Sequence, residues 1–185
     1  MRRMTVAAAL AAALVLGLAT SAGAASVHLK GGRNASPSFT DQGLTLNAAG
    51  ELAGLGNGDV LVTLDARANV AATCTNPSGK NEPPGQNPAP ISVTGSVAIP
   101  QDEIKNGNTP FSVTTQPPVT PIPGAPDCPN PNWTEAIVDL AFTSATITVE
   151  QPEGTVVLVV SCTFGSPTAN GLVPRGNVSC TQTQF

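Results

Sequence analysis

The stretch that decides the fold is DVLVTLDARANVAATCT, residues 59–75. Apolar side chains occupy every second position from Val60 to Cys74, and most positions between them carry Thr, Asp, Arg or Asn. Successive side chains of a β-strand point to opposite faces of the sheet. Alternation over this length therefore predicts one long strand that buries one face.

Six further segments carry strand signals, at 44–48, 91–99, 111–115, 134–149, 155–164 and 177–184. Within 134–149 the alternation changes parity near Thr143-Ser144, which predicts a β-bulge or a crossing between sheets there. The segment 155–164 is apolar on both parities, so we expect it to be central in its sheet.

Turn signals connect these strands. The glycine-rich link at 54–58 is expected to fold the strands before and after it into a hairpin. Asn106-Gly107 accepts positive φ and predicts a tight turn. The sequence QPEG at 151–154 predicts a hairpin between the two strands that flank it.

These patterns predict an all-β fold. About seven strands, with no helical periodicity after residue 24, favour an antiparallel β-sandwich of immunoglobulin-like architecture, with a small β-barrel as the alternative. The Cys-to-Trp-to-Cys spacing of true immunoglobulin domains is absent, because Trp133 directly follows a proline-rich segment. Immunoglobulin-like therefore describes architecture only.

The first 24 residues have the features of a signal peptide. Arg2 and Arg3 form a basic start, residues 6–18 are apolar, and Ala22-Gly23-Ala24 supplies small residues for cleavage. The apolar run is shorter than the roughly 20 residues that span a bilayer. We expect cleavage after Ala24, leaving a single domain at 25–185 that is extracellular or associated with the cell surface, without membrane insertion.

The charge balance limits the class of partner. The chain has 12 acidic and 8 basic residues, and only 11% of its residues are charged. Loss of Arg2 and Arg3 with the signal peptide leaves a net charge of about −6. Nucleic acids and anionic membranes both require clustered Lys and Arg, so neither is expected as a partner.

Four cysteines, Cys74, Cys128, Cys162 and Cys180, lie in the exported part of the chain. Two disulfides are the expectation for an oxidising compartment, whereas a zinc site would need closer, regular spacing. Four cysteines allow three pairings. Proximity in sequence favours Cys162–Cys180, which leaves Cys74–Cys128.

Two proline-rich loops are expected, near 76–90 and 116–131. The second carries a cysteine and runs into Trp133, so a disulfide would pin it. A stiff loop loses little entropy on binding, which makes this loop a candidate contact surface. An equally weighted interpretation is that it only covers a sheet edge. The candidate contact residues are Pro117, Pro118, Pro121, Pro123, Pro126 and Trp133.

Catalytic groups are scarce. His28 is the single histidine and lies near the expected mature N-terminus. Carboxylates occur at Asp59, Asp65, Asp102-Glu103, Glu135 and Asp139, but no calcium-loop motif is present. We therefore assign no catalytic residue, no cofactor and no metal ligand, and do not expect an enzyme.

Three segments have a distinctive composition: GLGNGD at 54–59, PGQNPAP at 84–90 and PIPGAPDCPNPNW at 121–133. They resemble a group of uncharacterised secreted proteins from bacteria with Ala/Gly-rich proteomes. The resemblance covers most of the chain after the signal peptide. It implies an exported, β-rich protein and names no activity, cofactor or catalytic residue.

The sequence favours a secreted or cell-surface binding or structural module, with a protein or cell-envelope component of unknown identity as partner. A secreted protease inhibitor that presents the proline-rich loop is one alternative. A secreted hydrolase that uses the carboxylates is another. The oligomeric state is not predicted.

Overall fold

The structure is a computed structural model, and it describes residues 26–82, 89–120, 128 and 130–185. The signal-peptide prediction for residues 1–24 lies outside the described residues. Among those that are described, no helix has the length and apolar character needed to cross a membrane.

Eleven β-strands and two 3-10 turns make up the described secondary structure, which contains no α-helix. The strands are β1 His28–Leu29, β2 Ser38–Asp41, β3 Leu46–Ala53, β4 Val60–Thr75, β5 Asn81–Glu82, β6 Ile91–Ile99, β7 Thr109–Thr114, β8 Thr134–Glu150, β9 Val156–Phe164, β10 Gly171–Leu172 and β11 Val178–Gln184. The 3-10 turns are Gln101–Glu103 and Arg175–Asn177. All seven strands expected from the sequence are present, and the four additional ones have at most four residues each.

The strands form two antiparallel sheets. In the small sheet β3 is central, with β7 along one edge, β1 and β2 along the other, and β10 outside β2. The large sheet has the order β11-β9-β8-β4-β6, and β5 pairs with the far end of β4 on the same edge as β6. Each sheet presents one face to the other.

The two sheets pack as a sandwich and do not close into a barrel, so the sandwich prediction is confirmed and the barrel alternative is wrong. From β4 the buried side chains include Val60, Val62 and Leu64, as the alternation predicted. Across the interface Phe39 of the small sheet meets Phe164 of the large sheet edge to face, with ring centroids 5.2 Å apart. Removal of these apolar faces from water is the main stabilising contribution.

The parity change in β8 is a bulge. Arg67 pairs with Ser144 and Ala68 with Phe142, so Thr143 is the extra residue, as the sequence predicted. A second register shift between Ala71 and Ala72 leaves Val138 extra, and that side chain is 53% exposed. Each bulge restores the apolar residues that follow it to the inner face.

The predicted hairpin across residues 54–58 is wrong, because β3 belongs to the small sheet and β4 to the large one. A hairpin would have placed both apolar faces on one side of one sheet, whereas here they face each other across the core. The crossing segment is held by Gln151, whose amide accepts from Gly56 N–H at 2.8 Å and donates to the carbonyls of Gly56 and Gly58 at 3.0 and 2.9 Å.

The other turn predictions are confirmed. Asn106 and Gly107 have φ values of 53° and 72° in a tight turn. The strands β8 and β9 form the expected hairpin, with Gly154 at φ 88°. The strand β9 lies between β8 and β11, and is therefore central, as its two apolar parities indicated.

Gly95 allows the two sheets to meet where β7 ends against β6. The N–H of Gln116 donates to the carbonyl of Thr94 at 2.9 Å, so backbone from the end of β7 lies directly on β6. A Cβ atom on Gly95 would come within 1.9 Å of the Thr114 carbonyl oxygen. Only a residue without a side chain permits this approach.

We predict that Gly95→Ala destabilises the fold by about 3 kcal/mol, because the added methyl group meets backbone that has to move. Gly176→Ala is the matched control, since no atom lies within 4 Å of its added Cβ, and it should change stability by less than about 0.5 kcal/mol. Urea denaturation of both variants measures the difference. Equal midpoints would contradict the close approach.

Candidate functional site

The proline-rich loop at 116–131 is attached to the end of β4 by a disulfide. Cys74 and Cys128 are bonded, with 5.7 Å between their Cα atoms, which is the pair left over in the pairing expected from the sequence. Of the candidate contact residues in the loop, Pro117 is exposed and Pro118 half-buried. Pro121, Pro123 and Pro126 lie outside the described residues.

Trp133 is half-buried and lies just before β8, where its backbone N–H donates to the Asn130 carbonyl at 2.9 Å. Beside it is an open cleft of about 610 Å³. The cleft is lined by Thr120, Cys128, Asn130, Pro131, Trp133, Thr134 and Glu135. The indole thus both packs on the protein and forms part of a concave surface, the usual position of an aromatic contact residue.

The second disulfide joins Cys162 of β9 to Cys180 of β11, which are directly opposite each other in the large sheet. Their Cα atoms are 4.1 Å apart. This bond fixes the last strand of the chain to the sheet.

Of the candidate catalytic carboxylates, Asp59, Asp65, Asp102 and Glu103 are exposed, whereas Glu135 and Asp139 are half-buried. Asp102 and Glu103 are exposed in the 3-10 turn after β6, and exposed Asp59 accepts the N–H of Gln101 at 2.9 Å. Asp65 accepts the hydroxyl of Thr94 on the outer face of the large sheet. The described residues contain no group of three or more His, Cys, Asp or Glu side chains that could hold a metal ion.

His28, the single histidine, forms a hydrogen bond with nearby backbone. Its Nδ1 lies 2.7 Å from the Ser26 carbonyl oxygen, a separation at which the ring N–H donates to that oxygen.

One buried polar cluster was not anticipated. Asp41, only 2% exposed, accepts the Gly43 N–H at 2.9 Å and the Thr168 hydroxyl, and the Thr168 hydroxyl oxygen in turn accepts the Phe142 N–H at 2.9 Å. The cluster ties β2 of the small sheet to β8 of the large one. Close by, Oδ1 of Asp139 is buried and has no hydrogen-bond partner among the described residues.

The outer face of the large sheet carries a regular array of side chains, and we call it the hydroxyl face. Strand register places fifteen side chains there in three rows across five strands. The rows are Thr183, Val159, Thr148, Thr63, Ser96; then Thr181, Ser161, Thr146, Asp65, Thr94; then Ser179, Thr163, Ser144, Arg67, Ser92. All except Val159, Asp65 and Arg67 are Ser or Thr.

The hydroxyl face is accessible and nearly uncharged. Each of its side chains is exposed or half-buried. Its single Asp and single Arg have opposite signs, whereas the whole chain has a net charge of −4. With strands about 4.8 Å apart and side chains repeating about every 6.7 Å along a strand, the face covers about 19 by 13 Å.

Comparison of the chain with protein-family models, with curated proteins and with solved structures finds no match in any of the three. The resemblance to secreted bacterial proteins therefore stays a prediction.

The sequence contains the signal for the hydroxyl face. Ser92, Thr94 and Ser96 alternate with apolar residues in β6, and the same alternation recurs in β4, β8, β9 and β11. Alternate polar residues within one strand occur in any strand that has one buried and one solvated face. Only the register between strands shows that these residues lie side by side.

Trp133 is the single tryptophan of the chain and reports on the pinned loop. Replacing Cys74 and Cys128 by Ser should lower stability by about 4 kcal/mol, because that bond spans 54 residues. We also expect a red shift of the native tryptophan emission, since the released loop leaves the indole more exposed to water.

The matched control replaces Cys162 and Cys180 by Ser. This bond spans 18 residues, so its loss should cost about 3 kcal/mol and leave the native emission unchanged. Chemical denaturation and fluorescence spectra measure both quantities. An unshifted spectrum in the Cys74/Cys128 variant would show that the disulfide does not shape the cleft.

Proposed function

We propose that this protein is an exported binding module that contacts a neutral, hydroxyl-rich polymer of the polysaccharide class through the hydroxyl face. The single observation that carries the proposal is the three-row array of Ser and Thr side chains across β11, β9, β8, β4 and β6. The two disulfides support export, since such bonds persist in oxidising compartments.

Hydroxyl groups suit such a ligand because each both donates and accepts hydrogen bonds, as sugar hydroxyls do. A Ser or Thr side chain also has few rotamers to lose on binding, unlike Lys, Glu or Arg. A single hydrogen bond contributes only about 0.5–1.5 kcal/mol net. An array allows a polymer with repeated hydroxyl groups to form many such bonds together.

The near absence of charge on the hydroxyl face limits the class of ligand further. A polyanion would be attracted by clustered basic residues, and here Arg67 is the only basic residue among the fifteen positions. An apolar ligand would find only Val159 on the face. A neutral polar polymer matches the predominantly uncharged, hydroxyl-bearing side chains of the face.

The cleft beside Trp133 is a second candidate contact surface for the same class of module. This second surface is supported by an aromatic side chain, Trp133, in a concave site of about 610 Å³. Cys128 in the wall of the site is covalently attached to β4. Such a site fits a short ligand or one chain end, whereas the hydroxyl face fits an extended polymer. The two surfaces are separable by mutation.

The test is co-sedimentation of the mature protein with insoluble cellulose, chitin and purified bacterial cell wall. We expect saturable binding to at least one of them. The triple variant Thr146→Val, Thr163→Val and Thr181→Val removes three hydroxyl groups while keeping β-branched side chains of similar shape. Its affinity should fall at least tenfold, the effect of losing three hydrogen bonds at the strength given above.

The matched control is Thr40→Val with Thr155→Val, which makes the same chemical change away from the hydroxyl face and should bind like the parent. Trp133→Ala tests the second surface in the same assay. Absence of binding to all three materials, or full binding by the triple variant, would refute the hydroxyl face as the contact surface. Loss of binding in the Trp133→Ala variant alone would assign the contact surface to the cleft.

A further inference from the structure

No strand of the described residues pairs with the outer edge of β11, whose register with β9 is defined. The Gly165 N–H donates to the Asn177 carbonyl at 2.9 Å, and the Phe185 N–H to the Val157 carbonyl at 3.2 Å. Odd-numbered residues of this segment therefore bond to β9. In an antiparallel pair the residues between them turn their N–H and C=O groups the other way.

The outward groups belong to Val178, Cys180, Gln182 and Gln184. The short Cα–Cα distance of 4.1 Å between Cys162 and Cys180 agrees, because pairs that do not share hydrogen bonds lie closer together. Within the described chain the Val178 N–H donates to the Arg175 carbonyl, and no hydrogen bond reaches the outward backbone groups of Cys180, Gln182 and Gln184. From Cys180 to Gln184 the edge is thus a row of free donors and acceptors.

This edge lacks the usual protection against strand addition. Natural edge strands commonly carry Lys, Pro or a bulge. The sequence of β11 is VSCTQTQ, which contains neither a charge nor a proline, and its pairing with β9 is regular over all seven residues. Nothing in the strand itself prevents a further strand from pairing with it.

Two grooves lie beside this strand, and both carry basic residues. One, of about 480 Å³, is lined by Val178 together with Lys30 and Arg175. The other, of about 540 Å³, is lined by residues 182–184 together with Arg33. No Asp or Glu lines either groove. Lys30 forms an ion pair with Glu51. Arg175 and Arg33, which form no ion pair within the described residues, therefore supply the positive charge beside this strand, in a chain with a net charge of −4.

Gln182 lines the groove of about 540 Å³, and its side chain bonds to the segment that carries Lys30 and Arg33. Its Oε1 accepts the Leu29 N–H at 2.9 Å, and its Nε2 donates to the carbonyls of Gly32 and Ala35 at 3.0 and 3.1 Å. The segment with Lys30 and Arg33 is thereby held beside β11 while the backbone edge stays free.

A second copy of the chain is a poor occupant. Two β11 edges related by a two-fold axis pair antiparallel, so the start of one strand meets the end of the other. Arg175, at the start, would then approach Arg33 of the other copy, at the end, and like charges repel. The arrangement instead favours a partner that carries negative charge at both ends.

We propose that β11 is a docking edge for an extended peptide segment of another protein, which joins the large sheet as a further strand and carries acidic residues at both of its ends. Backbone hydrogen bonds would supply the affinity, and Arg175 and Arg33 the preference for acidic ends. This surface is separate from the hydroxyl face, whose β11 members are the odd-numbered residues, and the proposal does not depend on the polysaccharide ligand.

The probe is a fluorescein-labelled peptide of nine residues, Asp-Glu-Thr-Val-Thr-Val-Thr-Glu-Asp, titrated into the mature protein at low salt. Fluorescence anisotropy should show saturable binding that weakens as salt is added, because the charges at the ends are screened. Hydrogen exchange of the Gln182 and Gln184 amides should slow at least threefold on binding. A peptide with proline at its central position should not bind.

Two pairs of variants locate the site. Arg33→Glu with Arg175→Glu should weaken peptide binding at least tenfold, whereas Lys105→Glu, on a distant turn, should leave it unchanged. Gln184→Pro removes one outward N–H without breaking the ladder to β9 and should weaken binding several-fold. Gln184→Ala keeps that N–H and should bind within twofold of the parent.

Equal binding of the central-proline peptide would show attraction of charge alone and would overturn the proposal. Unchanged binding by the Arg33/Arg175 variant, or no slowing of exchange at Gln182 and Gln184, would do the same. Sedimentation showing a dimer that Gln184→Pro disrupts would assign the edge to a second copy instead. Polysaccharide binding measured on these variants should be unaffected, which separates this result from that of the hydroxyl face.

Discussion

The pairing of β4 with β8 is the constraint on which the rest of the structure depends. These two strands have 16 and 17 residues and run antiparallel along their whole length. Their inner faces form the floor of the core, and their outer faces form the middle of the hydroxyl face. The two bulges in β8 keep apolar residues inward along a ribbon that would otherwise change sides. At the far end of the same ribbon lie the Cys74–Cys128 bond and Trp133.

Much of this arrangement follows from the sequence, and the remainder depends on distant contacts. Alternation identified each long strand and its buried face, because side-chain direction is a local property. The partner of a strand is not local, so the link at 54–58 was expected to form a hairpin and instead crosses between sheets. The strands β1, β2 and β10 have two to four residues, too few to show a period. Asp41 gave no signal either, since the Thr168 that satisfies it is far along the chain.

The candidate site shows the same division. The proline-rich loop and Trp133 were recognisable from composition and chain order, and the structure adds the cleft beside them. The rows of the hydroxyl face can be identified only from the register of four strand pairs. The free edge of β11 can be identified only from which of its residues bond to β9. In each case the sequence shows which residue types are present, whereas strand pairing determines which of them lie side by side on a surface.

The position of the Cys162–Cys180 bond has a mechanical consequence. An edge strand held by hydrogen bonds alone opens one bond at a time when its end is pulled. Here a covalent link in the middle of β11 stops that opening after about half of the strand, and passes the load to β9. Because β9 is hydrogen-bonded to β8 as well as to β11, tension that reaches this bond has to break the ladder between β8 and β9 before β9 can move.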